Sequence, residues 1–419
     1  MHKPIFMASL LFAAHVAHAA EPPVNPQRLR DLEQRVQELE AANAAAGKAA
    51  TRQVSNDFNP AISLILDGKL SGFSKDPGTY ALPGFALGGE TGPGDEGLRL
   101  GESELVMSAN IDDKFYGQFT AALTPENQTE IEEAFFETFA LGGGFTVRGG
   151  RFLSAIGYLN PVHAHAWDFA DQPLVYRAML GNQYKDDGVQ ARWVAPTDVF
   201  LELGAEIFRG DNFPAGGAAN SGKGTRTVFI HIGGDVGSSH AWRLGLSQLD
   251  ADARNRATGD ASTPDLFTGS STLNGVDFIW KWAPNGNPKQ TNFKFQTEYF
   301  TRDEDGTLDP ASSGTPLSYN GKQKGWYTQA VYQFMPRWRV GLRYDQLKAN
   351  AVEVALAGTV LDKQGHDPKR TSVMTDFSNS EFSRLRLQVN KDESRVNRKD
   401  TQWYLQYIMS LGAHGAHAF

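Results

Sequence analysis

Two histidines spaced two residues apart, followed by two aspartates, form the part of the chain best suited to binding a metal ion. The histidines are His163 and His165, and the aspartates are Asp168 and Asp171. In an extended segment, residues i and i+2 point to the same side. Imidazole and carboxylate groups are suitable ligands for zinc and related divalent ions. We therefore take His163 and His165 as candidate metal ligands; the alternative is that they only form hydrogen bonds within a loop.

Charged residues recur at every second position of several segments, as expected for the inner wall of a polar channel. Acidic residues concentrate at about 102–137 and 199–208, and arginines at about 337–345 and 370–386. Placed across a lumen, the two groups would create a transverse electric field. The residues predicted to set a constriction are Arg148, Arg192, Arg339, Arg343, Arg384, Arg386, Glu133, Glu137, Asp168, Asp171 and Arg177.

The elements that would position these residues follow from a period of two that begins near residue 61. Leu105, Met107 and Ala109, for example, alternate with polar or small neighbours. Segments of about ten residues with one apolar and one polar face are typical of transmembrane β-strands, as are short turns alternating with long connections. The fold predicted for 56–419 is therefore all-β, a transmembrane antiparallel β-barrel of about 16 strands, with fourteen or eighteen as alternatives.

Three of the predicted long connections bear on function or on the extent of the barrel. The connection at 153–186 follows the fifth predicted strand and has about 34 residues, which is long enough to suggest a role of its own. We expect it to fold into the lumen as a constriction loop. Two other long, polar connections are predicted at about 249–271 and 302–323.

The N-terminal part of the chain has a different organisation. Residues 1–19 combine a basic start, a short apolar run and a small-x-small cleavage site, which predicts a secretory signal peptide. Within 20–55, residues 29, 32, 36 and 39 are apolar at heptad spacing, which predicts a short α-helical coiled coil followed by a linker. The alternative is a single amphipathic helix lying on the protein.

Composition excludes several classes of protein. The chain has 419 residues, no cysteine and a formal charge of −8, and its mean hydropathy is −0.40. A disulfide framework, a cysteine-ligated metal and a cysteine nucleophile are therefore excluded. The acidic balance argues against nucleic-acid binding, and the low hydropathy argues against a bundle of membrane helices. We expect no enzymatic activity and no cofactor, with zinc considered only as a transported ion.

A family resemblance adds to this interpretation. Residues 146–152 (Thr-Val-Arg-Gly-Gly-Arg-Phe), followed by Gly157 and Asn160, resemble the fifth-strand segment of the phosphate-selective porin O/P-like group. The resemblance over 60–419 implies a sixteen-stranded homotrimeric porin, in contact with outer-membrane lipid of a Gram-negative bacterium. Its implied function is passive diffusion of small hydrophilic or ionic solutes.

Two further expectations follow, one from the N-terminal segment and one from a second resemblance. A coiled coil ahead of a barrel is similar to sugar porins with periplasmic extensions, and it implies contact with peptidoglycan or a periplasmic partner. Similar sequences are labelled zinc-regulated or TonB-dependent receptors. The alternative function implied by those labels is uptake of a divalent metal such as zinc.

Overall fold

The chain forms a closed antiparallel β-barrel of sixteen strands. The computed structural model describes residues 60–88, 91–125, 128–139, 141–216, 223–259, 263–311 and 314–412. The strands within them are β1 (Ala61–Phe73), β2 (Gly97–Leu100 and Ser103–Asn110), β3 (Phe115–Leu123), β4 (Thr129–Thr138), β5 (Phe145–Leu153), β6 (Lys185–Val194), β7 (Phe200–Phe208), β8 (Thr225–Val236), β9 (His240–Thr258), β10 (Asp265–Trp282), β11 (Asn292–Asp309), β12 (Leu317–Met335), β13 (Trp338–Ala349), β14 (Lys369–Ser380), β15 (Ser383–Glu393) and β16 (Asp400–Gly412).

The first strand closes the sheet on itself. Strand β1 pairs with β16, where Leu64 lies opposite Leu411, and also with both pieces of β2. The two pieces of β2 are separated at Gly101 and Glu102 and count as one strand of the barrel. Closure pairs the backbone groups that an open sheet would leave at its edges. The prediction of a sixteen-stranded barrel is confirmed, whereas the predicted signal peptide and coiled coil lie outside the described residues.

The outer side of the barrel carries the apolar residues of the alternating segments. Ile62, Leu105 and Leu342 are exposed, whereas Glu104 and Arg343, their inward counterparts on β2 and β13, are buried. A closed barrel with an apolar outer band is suited to a lipid bilayer because every backbone polar group is paired. This arrangement is that of an outer-membrane protein, as predicted. Among the described residues, no helix is long and apolar enough to cross a membrane.

Four strands extend well beyond the apolar band. In these extensions the apolar residues face inward and the polar residues outward, the reverse of their arrangement within the band. In β9, Leu246 points outward, but further along Leu249 and Ala251 are buried inside while Asp250 and Asp252 are exposed. Strands β9 to β12 are 18 or 19 residues long. The connections predicted at about 249–271 and 302–323 were therefore too long; the observed ones span 259–264 and 310–316.

The segment between β5 and β6, residues 154–184, is called the inner loop below. It contains one short helix, α1 (Leu174–Leu180), all of whose residues are buried. Helix α1 packs in an apolar cluster with Leu82 and Phe85 of the β1–β2 connection and with Phe300 and Tyr327 of the barrel wall. Gly181 ends the helix with a φ of 61°, a conformation that favours glycine.

Candidate functional site in the barrel lumen

The inner loop is bound by ionic contacts to the arginines of β13 and β14. Asp171 Oδ1 lies 2.6 Å from Arg343, and its Oδ2 lies 2.8 Å from Arg370 and 3.0 Å from Arg177 of α1. The amides of Gln388 and Asn390 on β15 also donate to this carboxylate, at 2.7 and 3.2 Å. One loop carboxylate therefore connects three strands of the barrel wall.

Asp168 makes a second contact of the same kind three residues earlier in the loop. It pairs with Lys294 of β11 and, at 3.2 Å, with Arg339 of β13. Arg339 also contacts Asp376 of β14 at 2.6 Å. Arg386 of β15 donates to the backbone oxygen of Trp167 at 2.7 Å.

Both loop aspartates are held in the charged form. Burial alone would raise the pKa of Asp171, but Arg370, Arg343 and Arg177 outweigh it and lower the pKa well below its usual range. For Asp168, burial likewise raises the pKa, while Lys294 and Arg339 lower it by more. The loop therefore carries two permanent negative charges to the arginine-rich wall, which consists of Arg339, Arg343, Arg370, Arg384 and Arg386 and is called the basic wall below.

A buried glutamate of β11 binds the loop backbone near its start. Glu298 accepts hydrogen bonds from the backbone N–H groups of Tyr158 at 2.9 Å and Leu159 at 3.1 Å. It also accepts from the hydroxyl groups of Tyr176 at 2.8 Å and Tyr327 at 2.6 Å. These contacts fix the turn that precedes the two histidines.

The two histidines face a different, acidic part of the lumen wall, formed by Glu104 of β2 and by Glu132 and Glu133 of β4; these three residues are the acidic wall. His163 Nε2 lies 2.9 Å from Glu133, and its Nδ1 lies 3.3 Å from Glu132 and 3.4 Å from Glu104. His165 Nδ1 lies 2.8 Å from the other oxygen of Glu104. Burial alone would lower the pKa of His163, but the three glutamates raise it well above its usual value.

A β-bulge explains why two successive glutamates reach the same face. Thr120 of β3 pairs with Glu133 and Ala121 pairs with Ile131, so Glu132 is an extra residue in the ladder. A bulge re-aims a side chain that strict alternation would place on the other face. Both Glu132 and Glu133 are consequently buried inside the barrel.

A third group of the predicted constriction residues is partly exposed to solvent. Glu137 Oε2 lies 2.7 Å from Arg148 and 2.8 Å from Arg192, and these three side chains are 21–27% exposed. Arg339 is 21% exposed, and Arg384 is partly exposed and donates to the backbone oxygen of His165. Arg343, Arg386 and Arg177, by contrast, are buried at 1–3% exposure.

The structure separates residues that the sequence analysis had grouped. Asp168 and Asp171 do not join the histidines in one cluster; they lie against the basic wall because that is where the complementary charges are. The inner loop lies between the acidic and basic walls, with its histidines against the first and its aspartates against the second. Glu132, which the sequence analysis missed, reaches the site through the bulge, and strict alternation gives no signal for it.

Comparisons with known proteins agree with the barrel. No model of a known protein family matches the chain. An uncharacterised protein of Aquifex aeolicus (strain VF5) is 31% identical over 387 residues, which cover 86% of this chain and 80% of that protein.

Three similar solved structures come from outer-membrane proteins. The anion-selective porin of Comamonas acidovorans has a TM-score of 0.52 and 11% identity, over 84% of this chain and 99% of that one. The outer membrane channel DcaP of Acinetobacter baumannii has a TM-score of 0.52 and 12% identity, over 84% of this chain and 97% of that one. The trimer form of OmpT of Vibrio cholerae has a TM-score of 0.52 and 11% identity, over 84% of this chain and 99% of that one. At these identities the likeness concerns the fold. The chain therefore belongs to the same protein family as the Aquifex aeolicus protein, and its fold is that of outer-membrane porins.

Proposed function

We propose that the chain is a channel through which small hydrophilic or ionic solutes diffuse passively across the outer membrane. The observation that carries the proposal is the inner loop, which crosses the barrel interior and is bound to both walls beside water-accessible charged residues. A channel needs a polar lumen and a passage of fixed size, and this arrangement supplies both. The proposal makes the chain a transport protein and not an enzyme.

The predicted constriction residues then divide into two roles. Arg343, Arg386 and Arg177 are buried beneath or within the inner loop, so they would fix its position and thereby the width of the passage. Arg148, Arg192, Glu137, Arg339 and Arg384 are partly exposed and would meet the solute. Glu133 and the loop aspartates hold the loop from its two sides.

We further propose that the chain assembles as a homotrimer. The heptad pattern within 20–55 supports self-association, and OmpT of Vibrio cholerae, which has a similar fold, is described in a trimer form. In this proposal the coiled coil projects into the periplasm and contacts peptidoglycan or a periplasmic partner. The divalent-metal uptake alternative remains a prediction of the sequence resemblance.

Planar-bilayer recording of the purified full-length protein tests the proposal. Insertion should give conductance in three equal steps, one for each barrel of a trimer. A folded preparation that inserts but gives no conductance would contradict a diffusion channel. One step per insertion would retain the channel and contradict three open barrels.

Glu137→Gln should shift the reversal potential in a KCl gradient toward anions. Glu137 offsets one of the two positive charges of Arg148 and Arg192. Its neutralisation leaves both guanidinium groups partly exposed, with Glu202, 3.5 Å from Arg192, as the carboxylate that remains. The matched control is Glu353→Gln on the exposed β13–β14 connection. Salt screens an exposed charge over about 10 Å at 0.1 M, and Glu353→Gln removes no carboxylate from an arginine pair, so the control should leave the potential unchanged. An unchanged potential for Glu137→Gln would show that this cluster lies off the ion path.

A further inference from the structure

We propose that a divalent transition-metal ion binds where the inner loop meets the acidic wall, with Glu104, Glu132 and His163 as its ligands. This inference goes beyond the channel function, because binding of the ion does not depend on conduction. The three residues come from β2, β4 and the inner loop, so an ion at this position would join the loop to two strands of the wall.

The spacing of the ligand atoms fits a small tetrahedral ion. His163 Nδ1 lies 3.3 Å from Glu132 Oε2 and 3.4 Å from Glu104 Oε2, and one ligand atom from each residue lies within 4.8 Å of the others. Zinc binds nitrogen and carboxylate oxygen at about 2.0–2.1 Å. The corners of a tetrahedron with bonds of that length are about 3.3–3.4 Å apart. Two of the three ligand separations therefore already have the length that the ion requires.

One buried carboxylate oxygen at this position lacks a hydrogen-bond donor. Glu104 is completely buried, and within the described part of the chain its Oε2 accepts no hydrogen bond. That oxygen is the atom directed at His163 Nδ1. A buried carboxylate oxygen without a donor is costly, and coordination to a cation would satisfy it.

The neighbours of the three ligands are those that a metal centre needs. A metal-bound histidine usually donates its other ring N–H to a carboxylate, and His163 Nε2 lies 2.9 Å from Glu133 Oε2. His165 Nδ1 lies 2.8 Å from Glu104 Oε1 and orients that carboxylate from its other oxygen. Both contacts orient the ligand groups, the first the imidazole ring and the second the Glu104 carboxylate.

The charge of the cluster also favours a divalent cation. Three carboxylates, those of Glu104, Glu132 and Glu133, surround one imidazole. The Nζ of Lys185 lies 3.4 Å from Glu132 and 3.2 Å from Glu130, a fourth carboxylate, so its single positive charge is shared between the two. A divalent ion that displaces the proton from His163 would offset the negative charge that remains. The His163 side chain is 17% exposed, so ions can reach it from water.

Zinc titration of the untagged, full-length protein tests this site. The protein is purified in detergent, stripped with EDTA, dialysed and titrated with Zn²⁺ by isothermal calorimetry. We expect one ion per chain with a Kd on the order of micromolar or tighter, and no competition from Mg²⁺, which prefers oxygen ligands. Glu104→Gln and His163→Gln should each weaken binding at least about 10-fold, since loss of a residue that only orients a ligand already costs that much.

The matched control is His231→Gln. His231 Nδ1 lies 2.8 Å from Glu202 in the same barrel interior, so it is a histidine–carboxylate pair without the further carboxylates. This variant should bind zinc as the unaltered chain does. Equal loss of binding in His231→Gln would show that the variants act through general destabilisation and would overturn the assignment.

A second variant separates loss of the site from loss of folding. His163→Lys places a permanent cation among the three glutamates, so the barrel should keep its heat-modifiable migration on gels while zinc binding is lost. Zinc binding at the affinity of the unaltered chain in both His163→Lys and Glu104→Gln would place the ion elsewhere and overturn the proposal, as would the absence of saturable binding. Conductance is recorded separately, so failure of the metal site is distinguishable from failure of the channel.

Discussion

Asp171→Asn should destabilise the barrel by about 3–5 kcal/mol and enlarge its conductance. Removing one partner of a buried ion pair leaves the other charge uncompensated, which carries a cost of that size. Here Arg177, Arg343 and Arg370 all lose the carboxylate that they share. The free-energy change is measured from urea denaturation in detergent or lipid. Because the inner loop loses its main contact with the basic wall, it should also become sensitive to added protease.

Asp187→Asn is the matched control for this prediction. Asp187 also pairs with an arginine, at 2.7 Å from Arg151, but the two side chains are 47% and 37% exposed. An exposed ion pair contributes no more than about 1 kcal/mol, so this variant should keep the stability and conductance of the unaltered chain. If Asp171→Asn behaved like Asp187→Asn, the buried contact would not be what holds the loop.

The barrel could be predicted because its determinants are local. The alternation around Leu105 and Leu342 reports which face of a strand meets lipid, and turn length reports which end of the barrel a connection occupies. Such signals need only neighbouring residues. They predicted about sixteen strands, with fourteen or eighteen as alternatives, without any information on which residues meet across the interior.

The strand extensions beyond the apolar band were wrongly predicted to be loops, for a physical reason. Beyond the lipid-facing band, the outer face of the strands meets water and the inner face packs in the barrel interior. The outer face is therefore polar there and the inner face apolar. Asp250 and Asp252 are outward and exposed, while Leu249 and Ala251 are buried. If apolar residues are assumed to face outward along the whole strand, this stretch is predicted to be a polar loop. Apolar and polar residues nevertheless still alternate in it.

The site required long-range information that the sequence does not display. His163 and Glu104 are 59 positions apart, and Asp171 and Arg370 are 199 apart. Residue type alone identified the histidines and aspartates as notable. It could not show that the loop divides them, with the histidines on the acidic wall and the aspartates on the basic one, nor that the bulge at Glu132 adds a carboxylate.

Removing the inner loop should raise single-channel conductance severalfold and make the channel prefer anions. The variant replaces residues 155–183 with a short Gly/Asn turn, which the ends permit because Ser154 N–H donates to Tyr184 O at 3.0 Å. Helix α1, seven residues long, occupies about 10 Å along its axis and about 10 Å across with its side chains. Its removal widens the lumen and exposes Arg343 and Arg370, which then share Asp345 in place of Asp171.

Adding Arg343→Gln and Arg370→Gln to the loop deletion separates width from charge. The combined variant should keep the larger conductance and lose the anion preference, because the two newly exposed guanidinium groups are gone. Heat-modifiable migration and an unchanged β-sheet spectrum verify that each barrel is folded. A folded deletion variant with the original conductance would show that the loop does not narrow the passage. A larger conductance without a shift in reversal potential would show that these arginines stay away from the ion path.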